Sequence, residues 1–508
     1  MPDETSPQPA SIIQPGHNCW RVEKADRLAF IVDAADYYEH IASAMERARS
    51  SIFIAGWDFD TRISLSPTED GGGEPLGHFL LRLVRSQPGL VIRILKWNVG
   101  AFKQFLKAKA VYWLFHWWRA RRIDFRFDAA HPFGCSHHQK IVVIDECLAA
   151  CGGIDITAGR WDTPRHVGQD RRRVGADGKP CMPWHDATML MCGDVALALH
   201  DLVSARWKVV TKEEVKPRED CEPIWPPALA TTFEAVEVAI SRTRAAYKDL
   251  SEIRESEAMY IDMIAAAQDY IYLENQYFTS GKIAAAIATR VAEPDPPEIV
   301  LIMPRTADGW LEQKAMDGAR AKLVQAIRRK DHRKRFRIYV PVTEDGQDIY
   351  VHAKVSIVDG RLLRVGSSNL NNRSMGLDSE CDIILDAARA ANAHCRAGIE
   401  EIRLRLLAEH LGCSIEDYED AESRAGSMIA AIEEMLGTGK TLDPLEVEEP
   451  GVVEEFIADN ELLDPESADQ MFEATTRRGL ARSWSAGRAR LKRNRHFQRF
   501  RNRIPARA

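Results

Sequence analysis

His138-Gln139-Lys140-Ile141-Val142-Val143-Ile144-Asp145 and His352-Ala353-Lys354-Val355-Ser356-Ile357-Val358-Asp359 are one pattern written twice, 214 positions apart. Each reads His-x-Lys-x-x-x-x-Asp. Each runs on to a glycine seven residues past its aspartate, in Gly152-Gly153-Ile154-Asp155 and in Gly366-Ser367-Ser368-Asn369. Alternate positions of a strand face the same way, so His138 shares a face with Lys140, and His352 with Lys354. The apolar runs that follow anchor each strand in a core. Two imidazoles and two ammonium groups brought together suit one anionic group. A single copy is a weak signal, whereas two copies with matching downstream turns are strong. Two buried strands that each carry a polar pair are the plainer alternative.

The halves repeat beyond these motifs. A helical stretch over 37–49 leads into the apolar strand 51–58, and one over 260–268 leads into the strand 270–273. Each half has a second apolar strand, 91–96 and 298–303, and then a basic helical stretch, 102–122 and 311–335. Alternating helix and strand predicts an α/β fold. The expected form is two pseudo-symmetric lobes, each a mixed sheet flanked by helices, with the motifs at their interface. The boundaries read as a disordered start over 1–24, a first lobe over 25–215 and a charged, proline-rich linker over 216–228. A second lobe covers 229–412, including a helix over 394–411, and 413–508 reads as a loose appendage.

At 508 residues the chain exceeds what one core usually supports. It is 45% hydrophobic and 28% charged, values ordinary for a soluble globular protein. Ten cysteines without a Cys-x-x-Cys pair suggest free thiols in a reducing compartment and no zinc spacing. No run of about 18 apolar residues and no secretory leader is legible, so a cytoplasmic protein, touching a membrane at most from that side, is expected. The net charge of −7 is unevenly placed: 12 acidic residues and no Lys or Arg lie between Asp443 and Glu473, and 12 Lys or Arg with no acid follow from Arg477. Such blocks are usually solvated, but a basic tail carrying Trp484, Phe497 and Phe500 also suits an anionic lipid surface, and the two blocks are able to pair with each other. The aromatic-basic stretch 111–118 reads as a core helix first and a lipid-facing one second. Acidic net charge, and no basic stripe across the motifs, speak against nucleic acid as a partner.

The paired motifs resemble the phospholipase D superfamily, whose signature is His-Lys-Asp in two copies. Gly152 to Asp155, Gly159-Arg160-Trp161-Asp162, Pro183-Trp184-His185-Asp186, Ile271 to Phe278 and Gly366 to Glu380 resemble its eukaryotic-type branch. The likeness covers about 25–400. It implies hydrolysis of a glycerophospholipid to phosphatidic acid and a head-group alcohol, with transfer to other alcohols through the same intermediate. Cardiolipin synthase is the nearest alternative within the superfamily, and a non-catalytic lipid-binding protein is the alternative from another class. Intact His and Lys in both copies favour the enzyme.

Phosphodiester cleavage needs a nucleophile, an acid for the leaving group and cations around the developing charge. Two histidines facing one phosphate can divide the first two roles. Lys140 and Lys354 supply the charge, so no metal or cofactor is expected. Resemblance assigns His138 as nucleophile and His352 as general acid; the residues alone do not rank them. Asn369, Ser367 and Gly153 are the candidate phosphate donors. A carboxylate behind each histidine fixes the tautomer. Glu380 matches the family position in the second half, and Asp170, then Asp162, is chosen in the first. Asp145 and Asp359 complete the candidate set, but their place at strand ends points to a structural role. His137 faces away from His138 and reads as a packed support, and His185 as a helper or a structural group. Duplication within one chain makes a monomer sufficient for a complete site.

Overall fold

The computed structural model describes residues 10–97, 117, 120–175, 177–218, 224–306, 310–446 and 464. One sixteen-stranded mixed sheet runs through them. Its centre is the antiparallel pair Arg21–Val32 and Phe233–Arg244. Outward from Arg21–Val32 lie Ala187–Cys192, Leu148–Gly152, Ile141–Ile144, Ser51–Gly56, Val91–Trp97 and Ile123–Asp128. Outward from Phe233–Arg244 lie Glu380–Asp386, Leu362–Gly366, Val355–Val358, Tyr270–Glu274, Glu298–Ile302, Phe336–Val342 and Thr441–Pro444. The first six strands of the two series correspond, with Thr441–Pro444 an additional edge strand of the second half, so the lobes are pseudo-symmetric halves of one continuous sheet rather than two separate sheets.

Helices cover both faces. In the first half Ala34–Arg47 and Leu76–Ser86 bury Tyr37, Ile41, Leu80 and Val84 on one face. Glu255–Ala266 and Gly281–Arg290 do the same in the second half through Met259, Met263, Ile283 and Ile287. On the opposite face Asp194–Thr211 and Arg396–Leu411 share one core that spans both halves, with Trp207 and Leu406 fully buried. That shared core makes the halves one folding unit, since neither keeps its apolar face covered alone.

Each motif aspartate explains its own position. Asp145 and Glu146 both have positive φ (49° and 57°), as do Asp359 and Gly360 (51° and 58°). Cys147 N donates to Ile144 O and Arg361 N to Val358 O, closing both turns. Two consecutive positive φ values suit the right-handed twist of a tight hairpin, and Asp tolerates that conformation better than most side chains. The same carboxylates then clamp the start of the neighbouring strand. Asp145 accepts from Arg49 N, Ser50 N, Ser51 N and Ser50 Oγ, at 2.6–2.8 Å. Asp359 accepts from Gln268 N, Asp269 N and Tyr270 N, at 2.8–2.9 Å.

Several sequence expectations need correction. Ordered chain begins well before residue 25: Ser11 Oγ donates to Asp386 and the central strand starts at Arg21. The second half also continues past 412. Ile415–Ala425 and Met428–Met435 pack on the shared core, and Thr441–Pro444 extends the sheet along Phe336–Val342. Tyr418, Ile429 and Ile432 supply the apolar surface that a net-acid composition hides. Farther on, Asp464 is buried and accepts from Thr279 Oγ1, Asn372 N and Arg373 N. Eight cysteines are free and mostly buried, as expected, whereas Cys147 is disulfide-bonded. Trp117 is buried and donates to Gly77 O, in keeping with a core role for that residue. The rest of the aromatic stretch 111–118 and the basic tail lie outside the described residues. Among those described, no helix is long and apolar enough to cross a membrane.

Asp145→Ala removes an acceptor from four donors and leaves a residue with a Cβ at positive φ. Charge-assisted hydrogen bonds contribute about 1.5–3 kcal/mol each in favourable cases and are not additive. We expect a loss of roughly 2–4 kcal/mol in chemical denaturation, partly recovered by Asp145→Asn. Turnover per folded molecule should be unchanged, and a selective loss of turnover at normal stability would show that the aspartate acts in chemistry.

Candidate active site

The two motifs meet across the middle of the molecule, and backbone hydrogen bonds set their register. His138 N donates to Ser379 O, and Ser379 N to Ser136 O. On the other side Trp184–His185 runs parallel to Tyr350–Val351, and His352 N donates to His185 O. Each motif histidine is therefore aligned with the residue just before a carboxylate of the opposite half.

Those carboxylates take the imidazoles. Glu380 receives His138 Nδ1 at 3.1 Å from both its oxygens. Asp186 receives His352 Nδ1 at 2.7 Å. The exchange is reciprocal, with the second half supporting the first histidine and the first half supporting the second. A carboxylate on Nδ1 fixes the proton there and turns Nε2 outward as the reactive nitrogen. Both carboxylates are fully buried. Burial pushes the Glu380 carboxyl well up, while hydrogen bonds from the Ser367 and Ser374 hydroxyls pull it back. Burial likewise raises Asp186 to about 6 against the pull of Lys354.

Both imidazoles are held well below the usual histidine range. For His138 the causes are burial, then Lys140 and Lys354. For His352 they are burial, then Lys354, Arg160 and Lys140. Each ring thus feels the cations of both halves, which places the four motif side chains within one field. Lys140 Nζ is paired with Asp155 at 2.9 Å and also donates to His138 O. Lys354 is more deeply set: it is fully buried and bonds only Gln276 Oε1, at 3.3 Å, and the carbonyl of His352. Burial brings its ammonium down to about 7. Asp186 and Glu380 offset that burial only in part, which suits a site that an anion completes.

Asp170 is not behind either histidine. It pairs with Arg172 at 2.6 Å in a surface loop, and Asp186 takes the position sought for it. The sheet register shows why it was missed. Gly152 faces Thr188 as Gly366 faces Asp382, so Asp186 and Glu380 are equivalent. The first half, however, carries a longer loop between glycine and carboxylate, which defeats matching by spacing. Asp186 stood in the quoted Pro-Trp-His-Asp match. Ser367 is committed to Glu380 and to Cys381 N rather than to the cleft. Gly153 donates its N–H to Ala187 O, and a Cβ there would come within 2.0 Å of Asp186 Oδ1; it is a glycine so that this carboxylate fits. Asn369 is buried with its Oδ1 unpartnered. Asp162 lies in a separate buried cluster on Arg173 and His166. His137 is a buried support, with Nδ1 on Ser379 Oγ and Nε2 3.1 Å from Asp128.

Two residues enter the site that sequence reasoning did not single out. Gln276 holds Lys354 and donates to Tyr350 Oη. Arg160 lies over the Trp184 ring at 4.0 Å, and its charge reaches His352, Lys354 and Asp186. Both sat inside quoted family-like stretches. Trp57 beside His138 and Trp184 beside His352 supply aromatic walls.

Duplicated His-Lys pairs on one pseudo-symmetric sheet, with exchanged carboxylates, define a two-histidine site of internally repeated type. The chain as a whole is similar to known proteins. Residues 44–224 match the family described as Phospholipase D, and residues 260–402 that described as Cardiolipin synthase, PLD-like domain. The chain belongs to the phospholipase D superfamily. Phospholipase D1 of Saccharomyces cerevisiae is 24% identical over 78% of this chain and 29% of its own length. Phospholipase D A of Dictyostelium discoideum is 25% identical over 75% and 35%. Phospholipase D alpha 1 of Arabidopsis thaliana is 23% identical over 76% and 65%. The chain thus spans less than two thirds of each of these relatives. The crystal structure of a phosphatidylserine synthase from Haemophilus influenzae shares the fold, with a TM-score of 0.52 at 13% identity, covering 75% of this chain and 86% of that one.

Asp186→Asn should cut kcat on the order of 10²–10⁴-fold, as expected when the group orienting a catalytic histidine loses its charge, while Asp170→Asn stays within about twofold. Equal effects would argue against the exchanged pairing. Lys354 gives a second test. A lysine whose folded pKa is depressed carries a penalty that is full below about 7 and absent above its unfolded value of 10.5. Lys354→Met should therefore raise Tm by a few degrees at pH 7 and weaken the rise of stability between pH 7 and 10. A lower Tm would mean that the ammonium is better satisfied than its partners suggest.

Proposed function

We propose that this protein is a phospholipase D, cleaving a glycerophospholipid phosphodiester to phosphatidic acid and a head-group alcohol through a phosphohistidine. The observation that carries the proposal is the exchanged pairing, which leaves Nε2 of both His138 and His352 uncommitted beside two lysines. In the first step His138 Nε2 attacks phosphorus, the bond to the head-group oxygen breaks, and His352 delivers a proton to that oxygen. In the second, His352 takes a proton from water, the hydroxide displaces His138, and phosphatidic acid leaves. An alcohol in place of water gives the transfer product. Lys140, Lys354 and Arg160 carry the phosphate charge, and the site asks no metal of the reaction. The aromatic walls suit a lipid, the partner being a phospholipid surface rather than nucleic acid, and one chain suffices for the site. A phosphatidyl transferase of the cardiolipin synthase kind is the second reading, favoured by the family description matched over residues 260–402.

At rest both imidazoles are neutral, yet one step needs a protonated His352. The negative charge of the bound phosphodiester is what raises it. Anion binding should accordingly take up a proton, so affinity for tungstate should increase up to about tenfold per unit as pH falls from 8 to 6. Calorimetry in buffers of different ionisation enthalpy reads this directly. Affinity independent of pH would remove the acid role from His352.

Incubation with phosphatidylcholine and phosphatidylglycerol vesicles, EDTA and a primary alcohol should give phosphatidic acid and the phosphatidyl-alcohol by mass spectrometry. His138→Ala and His352→Ala should each lower turnover at least about 10³-fold with little change in Tm. Cardiolipin as the main product from phosphatidylglycerol would favour the transferase, and the absence of any lipid product would defeat the proposal.

A further inference from the structure

Behind the phosphodiester site lies a second cluster of titratable groups that the proposed chemistry leaves unused. Asp33, His166, His185 and Glu409 bring four ligand atoms into one pocket, all within 4.8 Å of one another. Glu409 Oε1 lies 3.2 Å from both His166 Nε2 and His185 Nδ1. Asp33 closes the figure, with Oδ2 3.4 Å from His166 Nε2 and Oδ1 3.5 Å from His185 Nδ1. Ligands about 2.0–2.1 Å from a tetrahedral zinc ion stand roughly 3.3–3.4 Å apart, close to these four distances, two of which involve different oxygens of Asp33.

Two of the atoms are orphans. Asp33 Oδ2 and His185 Nδ1 are buried and make no hydrogen bond, and both side chains are fully buried. Asp33 also precedes the helix Ala34–Arg47, where Asp ordinarily caps the first turn. Its carboxylate makes no such bond and points into the cluster instead.

The outer groups are arranged as metal ligands require. A ligating histidine usually donates its other ring nitrogen to a carboxylate or carbonyl. His166 Nδ1 meets Asp162 at 3.1 Å, and His185 Nε2 meets Glu274 at 3.0 Å. These carboxylates are themselves held, Asp162 by Arg173 and Trp184 N, and Glu274 by His410 and Tyr272.

We infer that Asp33, His166, His185 and Glu409 bind a divalent transition ion of the zinc class as a closed structural site. Two imidazoles and two carboxylates suit zinc rather than calcium or magnesium, which prefer all-oxygen shells. The ion would join the end of the strand Arg21–Val32, the first-half loop carrying His166, and the second-half helix Arg396–Leu411. Through Asp33, whose Oδ1 also accepts Asp186 N at 3.0 Å, it would steady the carboxylate that supports His352.

Metal content of the untagged full chain, grown with added zinc and dialysed against metal-free buffer, is the deciding measurement. Close to one zinc per chain is expected, with Tm falling by several degrees after dipicolinate treatment and recovering on adding zinc. His166→Ala should abolish the binding; should that variant fail to fold, cobalt substitution of the wild-type chain should give the visible bands of a tetrahedral N/O site. Zinc below about 0.1 per chain with no thermal response, or full zinc retention by folded His166→Ala, would overturn the site and leave a network of protonated histidines. None of these readouts depends on turnover, so they stand or fall apart from the phospholipase proposal.

Discussion

The site depends on a short stretch of backbone pairing across the two halves. His138 is locked to Ser379 and His352 to His185 by main-chain hydrogen bonds, and the next residue in each partner segment is the carboxylate that the imidazole needs. Backbone bonds are more exacting than side-chain contacts here, because a slip of one residue turns every side chain to the other face. Two close-packed glycines serve the same register. A Cβ at Gly366 would collide with Asp382, and one at Gly152 with Thr188, so these strands are free to approach only as they stand.

Around that frame the electrostatics are deliberately incomplete. Lys140 is ion-paired with Asp155, whereas Lys354, among the described residues, has no carboxylate at contact distance and feels Asp186 and Glu380 only through the field. A buried cation without a contacting counter-ion carries a desolvation penalty, tolerable where a ligand adds negative charge. The two imidazoles are kept neutral by the same cations. The resting site therefore presents buried cations to the negative charge that a phosphodiester brings.

Much of this was legible in the sequence because the repeat is strict where geometry is strict. The His-x-Lys alternation, the aspartate turns and the glycines all follow from one hairpin built twice. What the sequence concealed lay where the halves diverge. The longer loop after Gly152 moved Asp186 away from the offset at which Glu380 suggested its counterpart, and Asp170 filled the gap in a linear reading. The exchange of carboxylates between halves is a tertiary fact with no periodicity to reveal it. Residues 413–446 were misread for a related cause: a net-acid composition concealed Tyr418, Ile429 and Ile432, which face the core. Ser367, aligned with Gly153 in the repeat, supports a carboxylate in one half while its partner merely makes room for one in the other.

That last difference bears on why the repeat is carried within a single polypeptide. Two identical subunits assembled about a twofold axis would present two chemically equal histidines, each with the same partner and the same proton affinity. Here Glu380 rests on two serine hydroxyls, whereas Asp186 rests on a backbone amide and the field of Lys354. Joining the halves has allowed the supports behind the two rings to differ while their positions stay mirrored. Division of labour between otherwise matching groups is thus a privilege of covalent fusion, one that a symmetric assembly acquires only after something else has broken its symmetry.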